Sequence, residues 1–358
     1  MPGMNDNTDQ PAPAPHRRRA RYRGTHPRAF HEKYKEHAPE QYPEMVEHVR
    51  EQGRTPAGQH VPIMVDEVLD ALQPAPGQRG VDATLGYGGH AAALLARIAP
   101  GGELLGLDID PLELPRTAAR LASPALHTRQ TNFGGLLAAL HAQGFSDGVD
   151  FIFADLGVSS MQLDDPARGF SIKQDGPLDM RMNPSRGIPA SEWLARATPT
   201  KLAAALRDHA DEPRADELAA ALLDAAATGE LQTTHQLARA VRDAIRHADD
   251  EAAQLAVRRV FQAVRIAVND EFSALDSLLR QLPDCLRPGG RVAILSFHSG
   301  EDRRVKHAFR DGLRAGVFDA VATEVVRASG AERHANPRAS SALLRWARRS
   351  RPDRRPTG

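Results

Sequence analysis

The sequence predicts an α/β fold in which a doubly wound, mostly parallel sheet carries an inserted all-helical domain. Short apolar runs alternate with segments of helical periodicity from about residue 60 to residue 162, which is the element order of a parallel sheet. A glycine-rich turn joins the first apolar run to an alanine-rich helix, as at the ligand-binding turns of open α/β sheets. The alternation stops after residue 162 and resumes after residue 256. These three observations together favour this fold class.

Apolar periodicity places the elements of the first half of the sheet. Met64, Val68, Leu69 and Leu72 share one face of an amphipathic helix that begins near residue 60. The apolar runs that follow predict strands at 80–84, 103–108, 126–130 and 149–155, separated by helices at 89–98, 111–121 and 134–142. We therefore assign residues 59–162 to the first part of the sheet domain.

Helical periodicity dominates the middle of the chain. Residues 163–256 are rich in Ala, Leu, Arg, Asp and Glu, with apolar pairs such as Leu202 and Leu206 at helical spacing. We interpret them as the inserted helical domain. The α/β pattern resumes in residues 257–348, with a helix at 257–282, a strand at 291–296, a helix at 301–312 and strand-like runs at 318–327 and 341–347. The last two runs predict an edge hairpin.

Composition argues against a membrane-embedded or disulfide-stabilised protein. Of 358 residues 41% are hydrophobic, the lone cysteine is Cys285, and no apolar run approaches the length of a membrane span. We therefore expect a protein of the reducing cytoplasm without a membrane partner. The oligomeric state stays open, a dimer included.

Positive charge is concentrated at both ends of the chain. Lys and Arg together number 46, as do Asp and Glu, so the formal net charge is zero. Arginines nevertheless cluster in residues 17–28 and 338–355. We interpret residues 1–58 as a mostly disordered basic arm with a helix near 43–52, and residues 349–358 as a basic tail. Such termini either contact nucleic-acid phosphates or are solvated tails.

The turn that follows the first strand has the features of a cofactor site. Gly86, Gly88 and Gly89 let the backbone approach a ligand closely, and the next helix begins with free N–H donors. Asp108 ends the second strand, where a carboxylate accepts hydrogen bonds from ribose hydroxyls. The turn and the acid together predict an adenosine site, with a simple tight turn as the alternative.

The identity of the adenosine cofactor depends on Asp82. The spacing Gly86-x-Gly88-x-x-Ala91 also fits a dinucleotide fingerprint, which would suit a nicotinamide-dependent oxidoreductase. A carboxylate at Asp82, directly before the glycines, would repel a pyrophosphate and attract the ammonium group of S-adenosylmethionine. The sequence therefore favours S-adenosylmethionine.

Long motifs in a fixed order resemble the RsmH (MraW) family from about His60 to Arg348. The matching blocks are Asp82-x-Thr84-Leu85-Gly86-x-Gly88-Gly89-His90, Asp155-Leu156-Gly157-Val158-Ser159-Ser160-x-Gln162-Leu163-Asp164, Arg168-Gly169-Phe170-Ser171, Asp175-Gly176-Pro177-Leu178-Asp179-Met180-Arg181-Met182, Phe261-Gln262-Ala263-x-Arg265, Ser296-Phe297-His298-Ser299 and Asn336-Pro337-Arg338-Ala339. The resemblance implies a class I Rossmann-like methyltransferase. It also implies S-adenosylmethionine-dependent N4-methylation of a specific decoding-centre cytidine in 16S rRNA, with the small ribosomal subunit as partner.

The resemblance also assigns roles to individual residues. It implies that the cofactor site comprises the glycine turn, Asp108 and four further residues: His90, Phe133, Asp155 and Gln162. Phe133 would lie beside the adenine. Asp155 ends the fourth strand and is the best candidate to accept the N–H bonds of the target amine. His298 is a catalytic candidate that would contact the base, as are Phe170 and Phe297. Arg168, Arg181 and Arg265 either contact RNA phosphates or form structural ion pairs.

No metal is expected at the site. Asp164, Asp165, Asp175 and Asp179 lie within sixteen positions, but we interpret them as helix caps and arginine partners rather than as cation ligands.

Three alternatives remain open at this point: a methyltransferase acting on another RNA or on protein, a nicotinamide-dependent oxidoreductase, and a non-catalytic RNA-binding or ribosome-assembly factor.

Overall fold

The computed structural model describes residues 62–351. The predicted arm at 1–58, with its helix near 43–52, lies outside the described residues. Of the predicted tail at 349–358, residues 352–358 also lie outside them.

Within the described residues, seven strands form one sheet in the spatial order β3-β2-β1-β4-β5-β7-β6. Strands β1 to β5 run parallel to one another, and β7 runs antiparallel to both β5 and β6. The strands are β1 Arg79–Asp82, β2 Glu103–Asp108, β3 Leu126–Gln130, β4 Val149–Asp155, β5 Leu286–Ser296, β6 Phe318–Val321 and β7 Leu343–Arg349. This doubly wound, mostly parallel sheet confirms the predicted fold class. Its connections reverse direction between β1 and β4, and ligands bind beside such a reversal in open α/β sheets.

Thirteen α-helices accompany the sheet in the described part of the chain. They are α1 Val65–Leu72, α2 Gly89–Ile98, α3 Glu113–Leu121, α4 Leu136–Gln143, α5 Ser160–Asp164, α6 Ala190–Arg196, α7 Pro199–Ala210, α8 Ala215–Ala227, α9 Thr234–Ala244, α10 Asp250–Asn269, α11 Glu271–Cys285, α12 Ser299–Arg314 and α13 Gly330–Ala335. None of these helices is long and apolar enough to cross a membrane.

Alternation along the central strands builds two apolar layers. In β4, Phe151 and Phe153 belong to one buried cluster, whereas Ile152 and Ala154 belong to another. Successive side chains of a strand point to opposite faces, so the two clusters cover the two faces of the sheet. The first cluster includes residues of α1 and α2, and the second includes residues of α4, α11 and α12.

Helices α6 to α10 enclose a third apolar cluster, which also contains Phe170 and Leu178. The predicted boundary between residues 256 and 257 falls inside α10. The apolar face of this helix continues from Ala256 through Val257 and Val260, so nothing in its packing interrupts it there.

The single helix predicted at 257–282 is wrong, because the structure has two helices. Asp270 adopts a left-handed backbone with φ 52°, which ends α10 at Asn269 and begins α11 at Glu271. Asn and Asp tolerate this conformation better than other non-glycine residues. Without a glycine or proline at the break, the periodicity alone gave no sign of it.

The ends of several strands also differ from the prediction. Strand β5 begins at Leu286, five residues before the predicted start, because Pro288, Gly289 and Gly290 are part of the strand. An irregular register between Val149 and Phe151 accommodates this segment. Strand β6 ends at Val321 instead of residue 327. The antiparallel pair β6 and β7 nevertheless forms the predicted edge hairpin.

Candidate functional site

A cavity of about 1480 Å³ opens at the carboxyl ends of the parallel strands. It lies beside the reversal of connections between β1 and β4, where open α/β sheets bind their ligands. Most of the predicted site residues line it: Gly86, Gly88, Gly89, His90, Asp108, Phe133, Asp155 and Gln162. Two predicted residues, Asp82 and His298, are not among the lining residues.

The glycine turn packs tightly against α3. Gly88 is the N-cap of α2 and has φ 82°, a left-handed conformation that favours glycine. A Cβ atom added to Gly88 would lie 2.8 Å from the side chains of Thr117 and Leu121. The Thr117 hydroxyl donates a hydrogen bond to the carbonyl of Gly86. Helix α3 therefore supports one side of the turn, and the other side of the turn faces the cavity.

Asp108 is bound to the same turn through its carboxylate. Oδ2 accepts a hydrogen bond from the Gly86 N–H at 2.7 Å, and Oδ1 accepts one from the Asp110 N–H at 2.8 Å. Burial raises the pKa of Asp108 to about 6, although these two hydrogen bonds lower it. Each oxygen keeps a further lone pair, so the carboxylate can still accept bonds from a pair of hydroxyl groups.

Asp82, predicted to meet a ligand ammonium group, lies directly behind the glycine turn and is not among the residues that line the cavity. Its side chain is buried at 1% exposure and accepts a hydrogen bond from the Thr84 N–H at 3.1 Å. The next residue, Ala83, bonds through its N–H to the Phe153 carbonyl, so the chain is still held in the sheet there. Burial raises the pKa of Asp82 to about 7. Asp82 thus stabilises the start of the glycine turn through its hydrogen bond to Thr84.

Asp155 brings a carboxyl group to the cavity wall at the end of β4. Its backbone N–H donates to the Thr84 hydroxyl at 2.6 Å, which fixes the strand end against the glycine turn. Among the described residues, its buried Oδ1 has no hydrogen-bond partner. Burial, followed by the negative charges of Asp82 and Glu301, raises the pKa of Asp155 to about 8. The carboxyl group therefore keeps its proton to a higher pH than an exposed aspartate does.

His90 lies beside Asp155 in a defined orientation. Its Nε2 is 2.9 Å from the carbonyl oxygen of Ile63, and its ring packs on Phe153 at 4.5 Å between centroids. A carbonyl only accepts, so Nε2 carries a proton. The other nitrogen, Nδ1, lies 3.8 Å from Asp155 Oδ2. The imidazole thus presents Nδ1 to the carboxyl group.

His298, predicted to contact the target base, instead faces Glu301. Its Nε2 lies 3.1 Å from Glu301 Oε1, and its ring packs against Phe272 at 5.8 Å between centroids. Glu301 does line the cavity, and its other oxygen accepts the Phe297 N–H at 2.9 Å. Burial would raise the pKa of Glu301, but the hydrogen bond and charge of His298 hold it below its usual value. Helix α12 begins at Ser299, and this helix start pairs the histidine with the carboxylate one turn on, so that His298 lies behind the cavity lining.

Gln162 has both ends of its amide engaged by the protein. Its Oε1 accepts the Ser159 N–H at 3.1 Å in a capping box, and its Nε2 donates to Asp110 Oδ2 at 3.0 Å. Arg168 donates to the same Asp110 oxygen at 2.8 Å and also to the carbonyls of Arg181 and Met182. Gln162, Asp110 and Arg168 are all buried. This network joins the end of β2 to α5 and to the segment that carries Met182.

Sequence reasoning missed Asp110. The only sign of it was the repeated acid in Asp108-Ile109-Asp110, and a second acid after a strand is ordinary. Its importance follows from the return of residues 162 and 168 to the end of β2, which no local pattern shows.

The remaining candidates divide between the cavity and the interior. Phe297 lines the cavity, whereas Phe170 is buried in the helical cluster. Arg265 pairs with Glu271 through two bonds of 2.9 and 3.0 Å, and Arg181 pairs with Asp179 at 2.7 Å. With Arg168 on Asp110, all three arginines form the structural ion pairs that the sequence left as one alternative. Within residues 62–351, no group of three or more His, Cys, Asp or Glu side chains is placed to hold a metal ion.

The sheet, the glycine turn and the acid at the end of β2 define a Rossmann-like protein with a nucleoside cofactor site. The family model described as the MraW methylase family matches residues 57–350, and the chain belongs to that family. Its cofactor is S-adenosylmethionine.

Named relatives agree with this assignment. "Ribosomal RNA small subunit methyltransferase H 1" of Lachnoclostridium phytofermentans is 46% identical over 93% of this chain and 93% of its own length. "Ribosomal RNA small subunit methyltransferase H 2" of Alkaliphilus metalliredigens is 45% identical over 92% of this chain and 97% of its own length. Among solved structures, an S-adenosylmethionine-dependent O-methyltransferase from Thermotoga maritima is 9% identical with a TM-score of 0.37, covering 81% of this chain and 65% of its own. That structural likeness is too distant to bear on function.

Proposed function

We propose that this protein methylates the N4 amine of one decoding-centre cytidine in 16S rRNA, with S-adenosylmethionine as methyl donor. The observation that carries the proposal is the Asp155 carboxyl, which lies on the cavity wall beside the glycine turn and has a buried oxygen without a partner among the described residues. The names of the relatives support small-subunit rRNA as the substrate.

The residues of the cavity suit the cofactor. When bound, S-adenosylmethionine supplies an electrophilic methyl group on a sulfonium. The Gly88 and Gly89 backbone would lie along its polar end, Asp108 would use its remaining lone pairs for the ribose hydroxyls, and Phe133 would flank the adenine. Asp82 would act indirectly, since it braces the turn through Thr84. Gln162 would likewise position α5 through Asp110.

Asp155 would serve the acceptor amine. The lone pair of an exocyclic cytosine amine is delocalised into the ring, so the amine attacks only if its N–H bonds are held and its proton is accepted as the nitrogen becomes tetrahedral. A carboxylate at the end of β4 can do both. Burial, followed by the charges of Asp82 and Glu301, raises the pKa of Asp155 to about 8, so the carboxylate form that accepts the proton increases as the pH rises towards 8.

The base would be held on the β5 side of Asp155. Phe297 follows β5 and lines the cavity, and its N–H is fixed by Glu301. An aromatic ring at this place can stack on a base that has left its own stack, which offsets part of the few kcal/mol that flipping costs.

A transfer assay tests the proposed substrate. The purified protein is incubated with methyl-labelled S-adenosylmethionine and small ribosomal subunits from cells that lack this modification, and the 16S rRNA is then separated from the ribosomal proteins. We expect the label in the 16S rRNA, and the Asp155→Asn variant should bind S-adenosylhomocysteine while transferring at most a tenth as fast. Label in ribosomal protein, or none in 16S rRNA despite cofactor binding, would overturn the proposal.

A further inference from the structure

Two exposed arginines lie on one face of α9 in the helical insert, and a third follows directly after the helix ends at Ala244. Arg239, Arg242 and Arg246 recur at intervals of three and four residues, and His235 precedes them by four. At 3.6 residues per turn the side chains of His235, Arg239 and Arg242 fall within an arc of about 60°, and Arg246 lies in the turn after α9. The opposite face is buried through Leu237, Ala238, Val241 and Ile245. We call the exposed face, formed by His235, Arg239, Arg242 and Arg246, the α9 stripe.

The three arginines of the α9 stripe lack acidic partners in the part of the chain that the structure describes. None of them forms an ion pair or a side-chain hydrogen bond with a described residue. Asp243 is the one carboxylate of α9, and it pairs with neither Arg239 nor Arg246. Exposed arginines of neighbouring helices behave differently, since Arg207 of α7 pairs with Asp216 at 2.9 Å. Positive charge is thus left unneutralised on α9, in a chain whose formal net charge is zero.

The α9 stripe begins at the rim of the cavity. The His235 N–H donates to Asp175 Oδ1 at 2.9 Å, and its Nε2 lies 3.1 Å from the carbonyl of Ile172. Lys173 and Asp175 both line the cavity, and the Lys173 side chain is exposed. From His235 the stripe extends about 10 Å along α9 to Arg242, at 1.5 Å per residue. A polymer whose one residue enters the cavity would have its neighbouring residues beside this face.

We propose that the α9 stripe binds the phosphodiester backbone of the RNA that flanks the target nucleotide. The proposal rests on the function proposed above, because it needs an RNA whose base enters the cavity. Arginine suits the role, since its planar guanidinium donates paired hydrogen bonds to phosphate oxygens. The interaction would be independent of base sequence. It would weaken as the salt concentration rises, because binding releases counterions from the RNA.

A double variant with a matched control tests the proposal. Arg239→Gln with Arg242→Gln removes two stripe charges, while Arg97→Gln with Arg280→Gln removes two exposed arginines of α2 and α11 that also form no ion pair with described residues. Binding to deproteinised 16S rRNA and to assembled small subunits is measured across a salt series for both variants. Calorimetry with S-adenosylhomocysteine checks that each variant keeps its cofactor site.

The stripe variant should bind both RNA forms roughly tenfold more weakly, and its logarithmic salt slope should fall by about 1.5 to 2, since each lost phosphate contact removes nearly one unit. Cofactor binding should not change. Equal affinity and slope for the stripe variant and the wild type would overturn the proposal, as would a loss confined to assembled subunits, which would assign the stripe to a ribosomal protein. If an RNA needs the stripe for binding but receives no methyl group, the proposed role of the stripe stands. That result would refute the proposed function instead.

Discussion

Replacing Asp155 by Asn should make the protein more stable and much less active. Asparagine has nearly the same shape but cannot ionise, so it removes the cost of a carboxyl that the fold keeps desolvated. The pKa of Asp155 is raised from 3.8 to about 8 by burial and by the charges of Asp82 and Glu301. At pH 7 such a shift costs at most roughly 4 kcal/mol of folding free energy, at 1.36 kcal/mol per pH unit above the unfolded pKa.

The sign of this effect depends on pH. Below about pH 4 the carboxyl is protonated in both the folded and unfolded states, so it costs nothing. As the pH rises towards 8, the unfolded chain ionises while the folded chain keeps its proton, and stability is lost progressively. The stability advantage of Asp155→Asn should therefore be absent near pH 4, grow through pH 5 to 8 and level off above the folded pKa of about 8.

Urea unfolding across this pH range measures the stability difference, and methyl transfer at saturating cofactor measures turnover. We expect a more stable variant with turnover lowered by about tenfold to a hundredfold, the range of acid and base positioning. Wild-type turnover should rise with pH towards 8, and the variant should lack that rise. A variant that is less stable at pH 7, or that turns over at the wild-type rate, would refute the reasoning.

Three further substitutions probe the frame around the cavity. Gly88→Ala should destabilise the protein by about 1–3 kcal/mol and weaken S-adenosylhomocysteine binding, because the new Cβ would lie 2.8 Å from Thr117 and Leu121 at φ 82°. Thermal unfolding measures the stability and calorimetry measures the binding. Wild-type affinity for S-adenosylhomocysteine would contradict the prediction. Arg168→Lys should raise the KM for S-adenosylmethionine about tenfold with the fold retained, because a lysine cannot serve Asp110 and two carbonyls at once; an unchanged KM would show that the network does not position α5. Leu206→Ala, fully buried in the helical cluster, should cost about 2–5 kcal/mol in urea unfolding, and a cost below 1 kcal/mol would mean that the cluster is loosely packed.

Local patterns in the sequence were enough for most of the sheet. Strands β2, β3 and β4 begin and end where apolar alternation and turn residues placed them. The break at Asp270 was missed because it depends on one left-handed residue inside a continuous apolar pattern. The end of β6 was missed because Val326 forms only an isolated bridge with Leu344 instead of continuing the strand.

The site was predictable where it is local and unpredictable where distant segments meet. The glycine turn and Asp108 follow from consecutive residues and their spacing. The burial of Asp82 depends on the packing of β1 between β2 and β4, and the pairing of His298 depends on where α12 begins. The Asp110 network unites residues 110, 162, 168, 181 and 182, which no periodicity relates.

The most direct test of the central claim is the identity of the methylated atom. 16S rRNA labelled by the purified protein is digested to nucleosides and analysed by mass spectrometry against N4-methylcytidine and 5-methylcytidine standards. A carboxyl that holds and deprotonates an exocyclic amine predicts label in an N4-methylcytidine species, reduced at least tenfold with Asp155→Asn. Label on a ring carbon, on a ribose or on another base would contradict the role of Asp155 and the account of the cavity built upon it.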